Sequence, residues 1–297
     1  MHFKNILFAA CLGAALIGAT GAVHAGTANA ITGAGTGLGR PSDSDMVQAF
    51  GAPASAAARA GWDEGGAYAH GSAHATAGDG FVKAYGEGSA FGSDSDGAAG
   101  GRAQFFEDLT FSSAVHDGMP GQVTIAVLFN SDVEAFGESV AATNFSFRVH
   151  TSAIYFSQFL ASGFPLMTSL VVLDAFGTRV LPYASVASMT FDLTWGDTLH
   201  LEMDLFAEGH TSYQLTFASG AQADASHSGY WGGIVSATAG GVAIDDFSVL
   251  SSTGLDYRNS FAVAAPVPEP ESVALLAVGL LAVWVRARRA GRRERAA

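Results

Sequence analysis

Cysteine is almost missing from this chain. Its 297 residues include one, Cys11, inside the first apolar stretch, so the body downstream can form no disulfide of its own. It must hold together by packing, hydrogen bonds or ions. A lipid-anchored reading of Cys11 would need a longer apolar run ahead of it than Ile6, Leu7 and Phe8 provide. Basic residues are scarce as well: fourteen Lys and Arg face twenty-seven Asp and Glu, a net charge of −13. Six of the fourteen (Arg286, Arg288, Arg289, Arg292, Arg293 and Arg295) crowd into the last dozen positions. Residues 26–265 therefore carry seven basic against twenty-four acidic side chains, a formal −17. Such a body repels phosphate backbones, which excludes nucleic acid as a partner.

Motifs that would carry chemistry are also absent. There is no Gly-x-Ser-x-Gly elbow, no phosphate loop and no paired-cysteine metal site. The reading is a protein that is not an enzyme, with no catalytic residue, no metal and no cofactor assigned. His70 and His74 are four apart, but Gly71 and Ser72 between them argue against a zinc-binding helix, and no catalytic Glu follows His70. Asp94-Ser95-Asp96-Gly97 begins like a calcium loop, yet its glycine falls at the fourth position, Ala99 at the sixth and Phe105 at the twelfth. In Ile244-Asp245-Asp246-Phe247 a bulge would let both apolar residues reach a core. Glu107 and Glu202 are examples of carboxylates a glycosidase would need opposed across a cleft, and nothing in the sequence joins them.

What is present begins at the two ends. Met1-His2-Phe3-Lys4-Asn5 supplies one positive charge, and an apolar, small-residue stretch follows from Ile6 to about Ala19. Val23-His24-Ala25-Gly26 then offers small residues where a signal peptidase reads, so residues 1–25 form a secretory leader cut between Ala25 and Gly26. As a buried helix the same stretch would lose about 1 kcal/mol at each of Gly13, Gly18 and Gly21.

At the carboxyl end, residues 263–297 read as a tail in three parts. Val267-Pro268-Glu269-Pro270 is extended and forbids a helix upstream. Residues 272–285 are uncharged and form a single short transmembrane helix of about 21 Å, less than a hydrocarbon core of roughly 30 Å. It crosses with little tilt or by thinning the bilayer. Trp284, Arg286, Arg288 and Arg289 act as anchor and cytoplasmic stop, leaving the body on the far side of the inner membrane.

Pro-Glu-Pro, a short apolar helix and an Arg-rich terminus, in that order, closely resemble the PEP-CTERM sorting signal. The resemblance implies a partner exosortase, a membrane-embedded cysteine transpeptidase or protease that cuts near Pro-Glu-Pro and passes the protein to the cell exterior. It also implies a bacterium that makes exopolysaccharide and biofilm matrix. Glu271 stands where many members have Ser or Thr, and the tail beyond Val285 is longer than usual.

Between leader and tail, residues 26–100 are rich in Gly, Ala and Ser, with two or three weak strands around Ala67–Ser72 and Phe81–Glu87. From 101 to 262 the alternation is strong. Met189, Phe191, Leu193 and Trp195 share one face, as do Leu199, Leu201, Met203 and Leu205. With Gly196-Asp197 between them, the two strands read as a hairpin. Further strands are expected at 104–112, 122–130, 144–150, 170–174, 212–218 and 241–250, with no convincing amphipathic helix. The fold class is mainly β: an antiparallel β-sandwich, jelly-roll-like, in which the twenty-one Phe supply the core. The Ala- and Ser-rich early strands, Gly196-Asp197-Thr198-Leu199 and Ser252-Thr253-Gly254-Leu255-Asp256-Tyr257 loosely resemble passengers found ahead of this kind of tail.

The function expected is that of a non-catalytic surface or extracellular-matrix protein, exported through the inner membrane, transiently anchored there, then released by exosortase to the surface and associated with exopolysaccharide. The alternatives are a carbohydrate- or calcium-binding module and a secreted polysaccharide hydrolase.

Overall fold

The structure is a computed structural model that describes residues 26–36, 41–92, 95–161, 164–181, 185–211, 218–226 and 229–261. The helix expected at 272–285 lies outside these residues. Among the described residues there is no helix long and apolar enough to cross a membrane, and the chain is built from antiparallel strands.

The first half supplies β1 (Thr27–Gly35), β2 (Ser42–Phe50), β3 (Ala54–Glu64), β4 (Ala67–Gly78), β5 (Phe81–Phe91), β6 (Ala98–Ser112), β7 (Pro120–Leu128), β8 (Asp132–Phe136) and β9 (Ser139–Val149). The second supplies β10 (Ser152–Ala161), β11 (Met167–Asp174), β12 (Gly177–Leu181), β13 (Val186–Thr194), β14 (Thr198–Thr211), β15 (Ser219–Ala225), β16 (Tyr230–Ala239), β17 (Val242–Ala243) and β18 (Ser248–Ser251). One sheet runs β12-β11-β10-β9-β14-β6-β1-β2, with β18 pairing the far half of β6. The other runs β13-β7-β16-β5-β15-β8, with β4 and then β3 added beside β5 and β17 beside β16. Where two or three weak strands are expected before residue 100, five lie wholly before it and β6 begins there, and they enter both sheets.

The inner faces of the two sheets share one core, and the two central strands of the first sheet show how it is graded. Inward positions of β6 read Ala99, Gly101, Ala103, Phe105, Glu107, Leu109 and Phe111; those of β14, running the other way, read Leu199, Leu201, Met203, Leu205, Ala207 and Gly209. Register pairs Phe105 with Met203 and Gly101 with Ala207, so large faces large and small faces small. At the large end Phe111 meets Phe191 edge to face at 5.7 Å, and Trp231 meets Tyr257 in the same way at 5.4 Å. Both buried indoles are satisfied: Trp195 Nε1 donates to the Thr238 carbonyl at 2.9 Å and Trp231 Nε1 to the Tyr257 carbonyl at 2.8 Å.

At the small end the sheets close to backbone contact. A Cβ on Gly86 would lie 2.5 Å from the Ala99 carbonyl oxygen, and one on Gly88 would lie 2.2 Å from that of Gly97. A Cβ on Gly101 would meet the His74 carbonyl at 2.4 Å. Facing sheets ordinarily sit about 10 Å apart; here only methyls and hydrogens fit between them. Alternation in β3 accordingly buries Ala54, Ala56, Ala58 and Ala60 and nothing larger.

The hairpin expected across Gly196-Asp197 is not formed. β13 pairs with β7 in one sheet, whereas β14 pairs with β6 and β9 in the other. The two residues carry the chain between sheets: Gly196 adopts φ +98, its N–H donates to the Phe111 carbonyl, and Phe111 N–H donates to that of Asp197. Both strands keep the faces that alternation gives them, because an arch preserves a shared core as well as a hairpin does.

The 241–250 strand divides into β17 and β18, with 244–247 irregular between them. Ile244 and Phe247 both pack on the core across this break.

Candidate functional site

The sorting residues Val267, Pro268, Glu269, Pro270, Trp284, Arg286, Arg288 and Arg289 lie outside the described residues, as does Ala25. Gly26 is described, buried, just ahead of β1. The 212–218 strand also falls largely outside them.

The outer face of the first sheet holds an open groove of about 380 Å³. Strand alternation builds it: β6 points Arg102 outward, β14 Asp204 and Phe206, β9 Asn144 and Ser146, β10 Tyr155 and Ser157, and β11 Ser169. Phe206 pairs with Arg102 across the register, and its ring lies along the sheet over Gly100, where a Cβ would sit 3.3 Å from it. Tyr155, 39 % exposed, forms an aromatic wall, with the Arg148 guanidinium 5.6 Å above its ring.

The charges in the groove are tied to one another. Arg102 Nε donates to Asp204 Oδ1 at 2.9 Å while its Nη2 reaches Oδ2, a two-point pair that Gln104 Nε2 joins at 3.3 Å. Hydrogen bonding to Asp204 holds the Arg102 guanidinium above its ordinary range, against the opposing effect of burial. Arg148 reaches Glu202 at 3.2 Å. Among the described residues lining the groove there is no histidine or cysteine. The arrangement offers an apolar platform beside fixed planar donors and acceptors, which suits reversible binding of a ligand with both C–H faces and hydroxyl groups.

Other candidates come apart. Glu107 points into the core and Glu202 to the outer face, so these two never oppose each other across a cleft. His70 and His74 lie on the outer face of β4: His70 Nε2 is 3.4 Å from Asp63, and His74 stacks on Tyr85 at 4.9 Å. Burial lowers the His74 pKa, with Asp224 opposing. Asp96 pairs instead with His210 at 3.2 Å. Burial opposes protonation of His210, but the nearby Asp96 carboxylate and the charge of Glu208 outweigh it, raising its pKa. Burial also raises Glu208. Among the described residues no group of three or more His, Cys, Asp or Glu could hold a metal ion.

Comparison with known proteins finds no matching curated protein and no matching solved structure. Residues 266–290 match the family profile described as the PEP-CTERM protein-sorting motif. A motif of this kind supports export, processing by an exosortase and delivery to the cell surface. The chain thus bears a PEP-CTERM sorting motif behind an antiparallel β body.

Proposed function

We propose that this is a non-catalytic surface or extracellular-matrix protein whose body, a jelly-roll-like sandwich, binds exopolysaccharide through the groove on the first sheet. The observation that supports the reading is the groove: Tyr155 and Phe206 supply faces on which sugar rings stack, and Arg102, Asp204 and Asn144 supply fixed partners for hydroxyl groups. The sorting motif supplies the location, since it sends the body to where such polymers are found. Before processing, residues 272–285 hold the protein in the inner membrane, with Trp284, Arg286, Arg288 and Arg289 as the stop.

Binding to a glycan array, with and without calcium, tests this. Binding that is indifferent to calcium and falls at least about tenfold in Tyr155→Ala/Phe206→Ala supports the groove. Binding unchanged in that variant sinks it, and polysaccharide turnover would instead favour a hydrolase. Replacing Pro268, Glu269 and Pro270 together with Ala is expected to leave insertion intact and uncut protein in the inner membrane. Surface delivery at the wild-type level would make the segment an incidental linker.

A further inference from the structure

Among the described residues, Glu107 is a charged side chain set in the core. It lies on an inward position of β6, fully buried. Its Oε1 accepts three bonds: from Ser252 Oγ at 2.6 Å, Asp108 N–H at 2.9 Å and Ser252 N–H at 3.2 Å. Its Oε2 is buried with no hydrogen-bond partner, and none of the ion pairs among the described residues includes Glu107. A buried carboxylate oxygen left so is costly and calls for a cation.

A place where a cation can arise close by is Gly26. A Cβ on Gly26 would lie 3.8 Å from Glu107 Oε2 and 3.2 Å from Thr253 Cγ2. Two substituents of one Cα lie about 2.5 Å apart, so the Gly26 nitrogen is within roughly 6 Å of that oxygen. Gly26 is buried and held in place by its carbonyl, which accepts from Gly51 N–H at 2.8 Å. In the uncut chain this nitrogen is a neutral amide. Cleavage after Ala25, expected from Val23-His24-Ala25-Gly26, turns it into an ammonium.

We infer that Glu107 is the binding site of the chain's own new amino terminus, and that removal of the leader completes the fold by seating the Gly26 ammonium on Glu107 Oε2. Glycine suits the position because the missing side chain leaves the space between Thr253 and Glu107 to the amine. The pair ties β1 to β6 and to the Ser252–Thr253 turn, so the body is locked when the leader leaves and looser before. The inference is independent of what the groove binds.

The test compares chains of residues 26–297 in detergent micelles, one beginning at Gly26 and one with two extra alanines ahead of it, each with Glu107 and with Glu107→Gln. In the Glu107 background the native start is expected to melt about 5 °C or more above the extended one; in Glu107→Gln the gap closes. No gap with Glu107, or an equal gap with Gln, overturns the ion pair. Should Glu107→Gln not fold, α-acetylation of Gly26 in the wild-type chain decides: a matching drop in Tm supports the pair and an unchanged Tm removes it. Mass spectrometry of the exported protein must also find Gly26 first, and a start elsewhere overturns the inference.

Discussion

Around Phe105 and Phe111, β6 and β14 hold their sheet away from its partner with Phe, Leu and Met; around Ala99 and Gly101 the same two strands let it descend to backbone contact. A buried Phe or Leu side chain contributes roughly 1.5–3 kcal/mol and a single methyl group about 0.8 kcal/mol. The first region is therefore stabilised chiefly by apolar area. The second depends on ladder hydrogen bonds and on close fit, so the two should fail in opposite ways: one when side chains shrink, the other when they grow.

Growth at the close end gives the largest expected effect. In Gly88→Val the new Cβ would meet the Gly97 and Gly209 carbonyl oxygens at 2.2 and 2.8 Å, and neither is the end of a flexible side chain. We expect a loss above about 4 kcal/mol, or no folded protein at all. A urea midpoint near that of the wild type would mean that the sheets can separate locally. Shrinkage at the wide end comes next. Trp195→Ala empties a fully buried site and leaves the Thr238 carbonyl without its indole donor, for an expected loss of about 3–5 kcal/mol in the same assay. Ala84→Gly, on the close side, should cost only about 1 kcal/mol.

How much of this was readable follows from the same contrast. Alternation is visible where Met189, Phe191, Leu193 and Trp195 stand against Thr and Asp, and the structure keeps those faces. It fades in Ala-Ser-Ala-Ala-Ala-Arg-Ala of β3, where the inward residues are all Ala and Ser55 and Ala57 face outward beside Arg59, so composition there resembles disorder although the strand is regular. Gly196-Asp197 signals a reversal without saying which partner each strand finds; that is decided by β7, β6 and β9, far away in sequence. The groove had no local signal, because Arg102, Tyr155 and Phe206 come from three separate strands. Glu107 had none either: Phe105-Phe106-Glu107-Asp108-Leu109 does not alternate between apolar and polar residues, and the structure supplies the strand that sets Glu107 on the inner face with Phe105 and Leu109. The sorting motif was legible as a short linear pattern, and residues 266–290 match its profile.

A smaller effect concerns charge at the close end. His210, beside Asp96 and Glu208, has a folded pKa above its ordinary value. Its contribution is therefore fully present below the unfolded value of about 6.5 and lost as pH rises through the folded one. Raised Glu208 acts in the same direction at its own titration. The Tm should fall as pH climbs from 6 through 8, and His210→Gln should flatten that slope; an unchanged slope would place the dependence elsewhere.

The smallest expected change is at the sheet edge. Asp45 and Asp43 of β2 accept the Ala57 and Arg59 N–H groups of β3 at 3.3 and 2.9 Å, occupying donors that an edge strand would otherwise present to another chain. Asp43→Ala/Asp45→Ala should leave Tm nearly unchanged but increase self-association by sedimentation. A strictly monomeric variant would show that these carboxylates are not what guards the edge.

The close approach of the sheets at Gly86, Gly88 and Gly101 also bears on temperature. Unfolding such a region exposes much peptide and little hydrocarbon, and peptide and hydrocarbon exposure change the heat capacity with opposite sign. Apolar burial weakens on cooling, so the Phe- and Trp-filled end loses part of its driving force in the cold. The Ala- and Gly-filled end has little of that force to lose, which makes it the part of the molecule whose stability changes least as temperature falls.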